Sequence, residues 1–172
     1  MIKIAGVCLV ILSCTGIGYL MSVQLTRRYQ ELKMLQRMVV LIKGEISYGK
    51  SALPEVLAQV GKKLEEPFQN FLLMLAKKTG EYGGKSFTQL FSESVDENLH
   101  TSFLSAKDKG NLKQMGQYLG YLDIAMQMNM LEMYLKELEM EIQETGNTIP
   151  GKKKIYQSLG IMSGIFLAIV FV

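Results

Sequence analysis

Two long apolar runs without any charge, one at each end of the chain, constrain this sequence more than any other feature. Residues 4–25 and residues 155–172 contain no Asp, Glu, Lys or Arg. At about 1.5 Å per helical residue, the first run reaches roughly 33 Å and the second roughly 27 Å, against a bilayer hydrocarbon core of about 30 Å. We therefore expect a membrane-spanning helix at each end.

Basic residues beside both runs predict on which side of the membrane the middle of the chain lies. An arginine pair, residues 27–28, follows the first run, and three lysines, residues 152–154, precede the second. Membrane proteins keep such positive flanks in the cytoplasm, and lysine stems can reach the headgroups beside a short span. The predicted domains are a transmembrane helix over 1–25, a cytoplasmic helical bundle over 26–150, and a basic flank with a second transmembrane helix over 151–172.

The first apolar run also has an alternative interpretation. Residues 11–14, Ile-Leu-Ser-Cys, resemble the processing site of a bacterial lipoprotein. A lipoprotein would hold its domain outside the cytoplasm, where it could bind a partner or ligand. Lipoproteins usually become polar after that cysteine, whereas residues 16–21 here stay apolar and a helical pattern continues. An uncleaved anchor is the favoured interpretation, and membrane topology separates the two.

The middle of the chain has helical periodicity and helix-end signals, with no run of alternating polarity typical of a strand. The first helix should continue from the membrane through an apolar face formed by Leu32, Leu35, Val39, Ile42 and Ile46. Helix starts are expected at Pro54, Pro67, Ser86, Asp108 and Asp123, a helix stop at Gly120, and a linker over residues 146–151. The expected fold is all-α, a bundle of about five to six helices between two terminal transmembrane helices.

The helix predicted after Asp123 carries two apolar rows. One row has the four-three spacing of a heptad seam: Ile124, Met128, Leu131, Leu135, Leu138 and Ile142. Beside it lies a methionine row made of Met126, Met130, Met133 and Met140. Methionine fills cores and also forms adaptable interfaces, and we interpret this row as core filler.

Little in the sequence indicates catalysis or a cofactor. Between the apolar runs lie 18 basic and 16 acidic side chains, a balance that does not favour nucleic acid binding. His100 is the only histidine. The segment Gly80–Ser86 is a poor nucleotide-binding loop because its first glycine is one place late and a helix leads into it. We expect no enzyme activity, no metal, no cofactor and no small-molecule substrate.

Several motifs in order along the chain carry a family resemblance. They are Glu45-Ile46-Ser47-Tyr48-Gly49, the stretch over residues 116–123 with Gln127, and Ser158-Leu159-Gly160 at the start of the last apolar run. With these motifs the chain resembles the stage III sporulation protein AB family over nearly its whole length. The structural or interaction candidates are Glu45, Tyr48, Gly49, Gly116, Gly120, Asp123, Gln127, Gly160 and Gly164. The last two belong to a four-residue spacing of small residues that suits close helix packing, although glycine is also simply common in membrane helices.

The resemblance implies a place and a role. It implies a protein of the mother-cell membrane around the forespore, within a secretion-like channel complex. It also implies a cytoplasmic domain similar to the helical domain of the type II secretion platform protein. The implied partner is stage III sporulation protein AA, a secretion-type ATPase, so the expected function is a membrane scaffold that docks this ATPase.

Overall fold

The computed structural model describes residues 2–48, 52–81, 84–120 and 123–171, which form helices and short connections without any strand. The six helices are α1 (Ile2–Tyr48), α2 (Leu53–Gly61), α3 (Phe68–Gly80), α4 (Phe87–Asn98), α5 (Ala106–Tyr118) and α6 (Ile124–Phe171). The expectation of an all-α chain is confirmed. Within these ranges, no helix has a stretch that is both apolar enough and long enough to cross a membrane.

The chain divides into two compact units. The terminal unit consists of Met1–Tyr29 and Gln143–Val172, and the middle unit is Gln30–Ile142. In the middle unit α2 packs on α3, α3 on α4, and α4 on α5. The long helices α1 and α6 contribute residues to both units, because each boundary between the units falls inside one of these helices.

Large apolar side chains form the core of the middle unit. Phe71 of α3 and Phe91 of α4 meet edge to face, with ring centroids 5.4 Å apart, an arrangement that suits the quadrupoles of the two rings. The expected apolar face of α1 is buried at Leu32, Leu35, Val39 and Ile42, with Ile46 half-buried. The heptad seam of α6 is buried at Leu131, Leu138 and Ile142, half-buried at Met128 and Leu135, and exposed at its first member, Ile124.

Most of the expected helix starts are confirmed, and two are corrected. Ser86 caps α4 through a reciprocal pair of hydrogen bonds with Gln89. Pro54 lies in the first turn of α2, whereas Pro67 is the residue before α3 rather than its first residue. Asp108 does not begin α5 as expected. Ser105 does, because its hydroxyl accepts the Asp108 N–H at 3.1 Å while the Asp108 carboxylate accepts the Ser105 N–H at 2.8 Å.

The linker expected over residues 146–151 is wrong. α6 is one helix of 48 residues that includes Pro150. Glycine and proline both disfavour a helix interior, but contacts within the terminal unit hold the start of this stretch. A Cβ atom on Gly146 would lie 3.1 Å from the Tyr29 ring, so the helix packs closely there. Arg28 Nη1 also donates to the Thr145 hydroxyl at 3.3 Å. Tertiary packing therefore overrides the local signals.

Candidate functional site

Gly116 lets α5 approach α4 very closely. A Cβ atom at this position would lie 2.3 Å from Cδ1 of Phe91, inside the van der Waals distance. Phe91 is fully buried and packs on Phe71 as well as on Phe87. The ring therefore has little freedom to move aside, and a glycine is required where the two helices meet.

Gly120, Asp123 and Gln127 build the connection from α5 to α6. A Cβ atom on Gly120 would lie 3.2 Å from Cβ of Phe87. The N–H of Met126 donates to the Asp123 carboxylate at 2.8 Å, so Asp123 caps α6 as expected. The Gln127 side-chain amide donates to the carbonyl of Leu119 at 3.0 Å, which ties α6 back to the end of α5. Together with Gly116, these residues form one structural unit, here called the α5–α6 corner.

The candidates at the end of α1 have different surroundings. The Glu45 carboxylate accepts from Lys63 Nζ at 2.8 Å, an exposed ion pair between α1 and the turn after α2. Tyr48 is 94% exposed at the last residue of α1. Gly49 lies outside the described residues.

The glycine candidates of the terminal unit lie in α6. Gly160 is buried. A Cβ atom on Gly18 of α1 would lie 3.5 Å from the Cα of Gly160 and 2.5 Å from the carbonyl oxygen of Tyr156, so α1 and α6 approach backbone to backbone there. Gly164 lies in α6, and its surroundings are outside the described part of the chain.

The methionine row of α6 is a surface, which corrects the interpretation as core filler. Met126, Met133 and Met140 are 46%, 52% and 63% exposed, and Met130 is half-buried. We call these four residues the methionine face. The helix turns its heptad seam toward the core. Each of the four methionines follows a seam residue by two positions, which is about 200° around an α-helix, so the row lies on the outward side and not beside the seam. The sequence carried this signal, because two apolar rows on opposite sides of one helix cannot both face the same core.

A small groove lies between α5 and α6 beside the methionine face. Its volume is about 50 Å³, and its walls are Asn111, Gln114, Met115 and Tyr118 from α5 and Met130, Met133, Tyr134 and Glu137 from α6. We call it the α5–α6 groove. The lining includes one carboxylate and no lysine or arginine. Ligand sites for small molecules usually measure about 300–1,000 Å³, so this groove is too small for a metabolite.

Tyr134 is the unusual residue of the α5–α6 groove. Only 6% of its surface is exposed, and its hydroxyl has no hydrogen-bond partner among the described residues. Burial raises the pKa of this hydroxyl far above its usual range, and the nearby carboxylates of Asp108 and Glu137 raise the pKa further. The hydroxyl therefore stays protonated at neutral pH. Sequence analysis did not single out Tyr134, since a tyrosine within an apolar row resembles an ordinary core residue.

A larger, polar cleft opens elsewhere on the middle unit. It measures about 330 Å³ and is lined by Glu31, Glu66, Pro67, Asn70, Glu97, Asn98, His100 and Thr101. Several of its polar side chains already have local partners. Glu31 accepts the Phe103 N–H at 2.7 Å, Glu97 pairs with Lys78, and His100 Nδ1 lies 2.5 Å from the Glu97 carbonyl oxygen. Within the described residues, no group of acidic, histidine or cysteine side chains could hold a metal ion.

Comparison with known proteins identifies related sequences and a related structure. The family model described as Stage III sporulation protein AB matches residues 3–172. Stage III sporulation protein AB of Bacillus subtilis (strain 168) is 24% identical over 170 residues, which cover 99% of each chain. A solved structure of a Stage III sporulation protein AB superimposes with a TM-score of 0.66 at 22% identity, covering 72% of this chain and 97% of that one. This structural likeness supports the fold, and none of the matched names describes an enzyme.

Proposed function

The chain belongs to the stage III sporulation protein AB family, and from that membership we propose that it is a non-enzymatic membrane scaffold of a channel complex in sporulation. The observation that carries the proposal is the family match over residues 3–172, combined with a helical middle unit between two apolar ends. A sporulation role follows from the family itself. The scaffold role, the membrane anchors and the partner are our proposal.

The membrane anchors of this proposal are the two ends of the chain. Both ends are uncharged over residues 4–25 and 155–172, and basic residues flank both on the side of the middle unit. The close approach of Gly18 to the backbone of Tyr156 is the kind of contact that packs helices in a bilayer. We propose that both ends span the mother-cell membrane around the forespore and that the middle unit lies in the cytoplasm.

The partner in this proposal is a cytoplasmic ATPase, stage III sporulation protein AA. A scaffold holds a motor at the membrane through a domain that offers protein-binding surface. The middle unit has such surface in the methionine face, which leaves thioether side chains exposed. We also propose that the middle unit corresponds to the helical domain of a type II secretion platform protein, which anchors an assembly motor in the same way.

The proposed function includes no enzymatic activity, because carboxylates of the polar cleft already make other contacts. The polar cleft of the middle unit holds carboxylates that pair with a backbone N–H and with a lysine. Acid–base catalysis requires groups that converge on a substrate, whereas Glu97 pairs with a lysine of the neighbouring helix and Glu31 accepts a backbone N–H of the connection between α4 and α5. The proposal therefore includes no cofactor, no nucleic acid and no small-molecule substrate.

Crosslinking and purification from sporulating cells test the proposed partner. The full-length chain carries an affinity tag, and a tagged, unrelated protein with two membrane helices is the control. We expect stage III sporulation protein AA to be recovered with the full-length chain and not with the control. Equal recovery with both, or recovery with neither while the tagged chain is present in the membrane fraction, would contradict the docking role.

A further inference from the structure

The α5–α6 groove has the chemistry of a protein-binding site. Its apolar walls come from Met115, Met130 and Met133, and Met133 is half exposed. Methionine side chains are unbranched and polarizable, so they adapt to the shape of an incoming apolar group. A volume of about 50 Å³ admits the methyl groups of one branched side chain. The groove is therefore suited to one anchor residue of a larger partner.

The hydroxyl of Tyr134 indicates that the α5–α6 groove is incomplete without a partner. A buried polar group without a hydrogen bond is costly and uncommon in folded proteins. This hydroxyl is buried and has no partner among the described residues, and Tyr134 itself lines the groove. A polar group of a partner that enters the groove and reaches this oxygen would supply the missing hydrogen bond.

The electrostatics of the α5–α6 groove favour a positively charged group. Glu137 lies exposed at the rim, and Asp108 and Glu137 are both close enough to disfavour a negative charge on Tyr134. Glu137 is the one carboxylate in the lining, and the lining contains no lysine or arginine. A lysine or arginine could pair with Glu137 and donate a hydrogen bond to the tyrosine oxygen.

We propose that the α5–α6 groove docks an amphipathic helix of a partner protein, which buries one branched apolar side chain against the methionines and pairs a lysine or arginine with Glu137. Both walls of the groove are helices, and a helix laid along such a groove is a common mode of peptide recognition. A second copy of the chain fits less well, because a symmetric contact would bring two Glu137 carboxylates to the same interface. The biological meaning of this inference rests on the proposed scaffold role.

The methionines provide the probes for a direct test. The full-length chain, with its methionine methyl groups labelled with carbon-13, is placed in phosphatidylcholine nanodiscs. The probe is a synthetic helical peptide with leucines on one face and lysines on the other, and a peptide with glutamate in place of lysine is the control. We expect the methyl resonances of Met115, Met130 and Met133 to shift saturably with the lysine peptide. Met74 of α3 and Met140, which are exposed but do not line the groove, should not shift.

Two substitutions distinguish specific docking in the groove from nonspecific binding of the peptide to apolar surface. Tyr134→Phe removes only the hydroxyl, and we expect about three- to tenfold weaker peptide binding while the fold is retained. Glu137→Gln removes the rim charge and should weaken binding by about two- to fivefold. The glutamate peptide should bind more weakly than the lysine peptide to the unsubstituted chain, and this difference should shrink in Glu137→Gln.

Three results would overturn the proposal. The first is no saturable shift at peptide concentrations on the order of 1 mM, and the second is equal shifts at Met74, Met140 and the groove methionines. The third is a change of the groove methionine resonances with the concentration of the chain itself, without peptide, which would assign the groove to a second copy.

The test needs no ATPase. Groove binding together with failed recovery of the ATPase would contradict the scaffold proposal alone, and the reverse pattern would contradict this inference alone.

Discussion

In the middle unit, two residues of the same type differ in their structural role because their surroundings differ. Gly116 is required because the ring of Phe91 occupies the place of a side chain. Gly110 lies in the same helix, is exposed, and has no atom within 4 Å of a potential Cβ. Tyr134 is buried as a core residue would be, yet its hydroxyl lacks a partner among the described residues. The surroundings of each residue, rather than its identity, determine the effect of a substitution.

The two glycines of α5 provide a matched pair for a stability measurement. Gly116→Ala should lower the free energy of unfolding by about 1–3 kcal/mol through overpacking, offset in part by the better helix propensity of alanine. Gly110→Ala should raise it by up to about 1 kcal/mol, because only the propensity changes. Urea unfolding followed by circular dichroism measures both. Equal effects of the two substitutions would contradict the close contact between α5 and α4.

Tyr134 should make the fold sensitive to alkali. Burial raises the pKa of its hydroxyl in the folded chain, while in the unfolded chain the hydroxyl loses its proton near pH 10. Above about pH 10 the unfolded chain therefore binds fewer protons than the folded chain, and stability falls as pH rises, by at most about 1.4 kcal/mol per pH unit from this group.

The Tyr134→Phe variant isolates this contribution. Its free energy of unfolding should fall less steeply with pH above about pH 10 than that of the unsubstituted chain, and the two slopes should coincide at neutral pH. Urea unfolding at several pH values measures them. Parallel curves across the alkaline range would mean that the hydroxyl is accessible to solvent in the folded chain.

At the scale of elements, local chemistry predicts a helix start where one capping residue stands alone, and it misses what contacts distant in sequence impose. Ser86 and Asp123 were identified from sequence because a capping side chain acts on backbone only a few residues away. The start of α5 was misplaced because Ser105 and Asp108 both have capping side chains, and sequence does not decide which one precedes the helix. The linker over 146–151 was wrong because contacts of Gly146 with Tyr29 are made across the sequence.

The same limit applies to the candidate site. The motif residues of the α5–α6 corner were identified, and their roles in packing and capping follow from short-range geometry. The α5–α6 groove was missed, since the two apolar rows lie on opposite sides of α6 and the sequence does not decide which one faces the core. Only the packing of α6 in the middle unit exposes Met133 and buries Leu131 and Leu138.

The cap of α6 can be tested by substitution of Asp123. Asp123→Ala should lower the stability by about 1 kcal/mol, because the N–H of Met126 loses its acceptor. Asp123→Asn keeps a side-chain oxygen and should be milder. Thermal unfolding of the three proteins gives the order. If asparagine is as damaging as alanine in a folded protein, the carboxylate has a charged partner and its role is not that of a cap.

At the scale of the whole molecule, the proposed function depends on which side of a membrane the middle unit lies. The family assignment supplies the sporulation role, while a cytoplasmic middle unit is required for contact with a cytoplasmic ATPase. The lipoprotein alternative requires Cys14 and would put the middle unit on the other side. One property of the full chain, its topology, therefore separates the two accounts.

Cysteine labelling of membrane vesicles measures this topology directly. Cys8 and Cys14, the only two cysteines of the chain, are replaced by alanine, and Tyr48→Cys provides a single thiol at a site that is 94% exposed. The account predicts that the protein stays in the membrane without Cys14. An impermeant maleimide should then label position 48 in inside-out vesicles and not in right-side-out vesicles. Labelling in right-side-out vesicles alone, or release of the protein into the soluble fraction, would contradict a cytoplasmic scaffold.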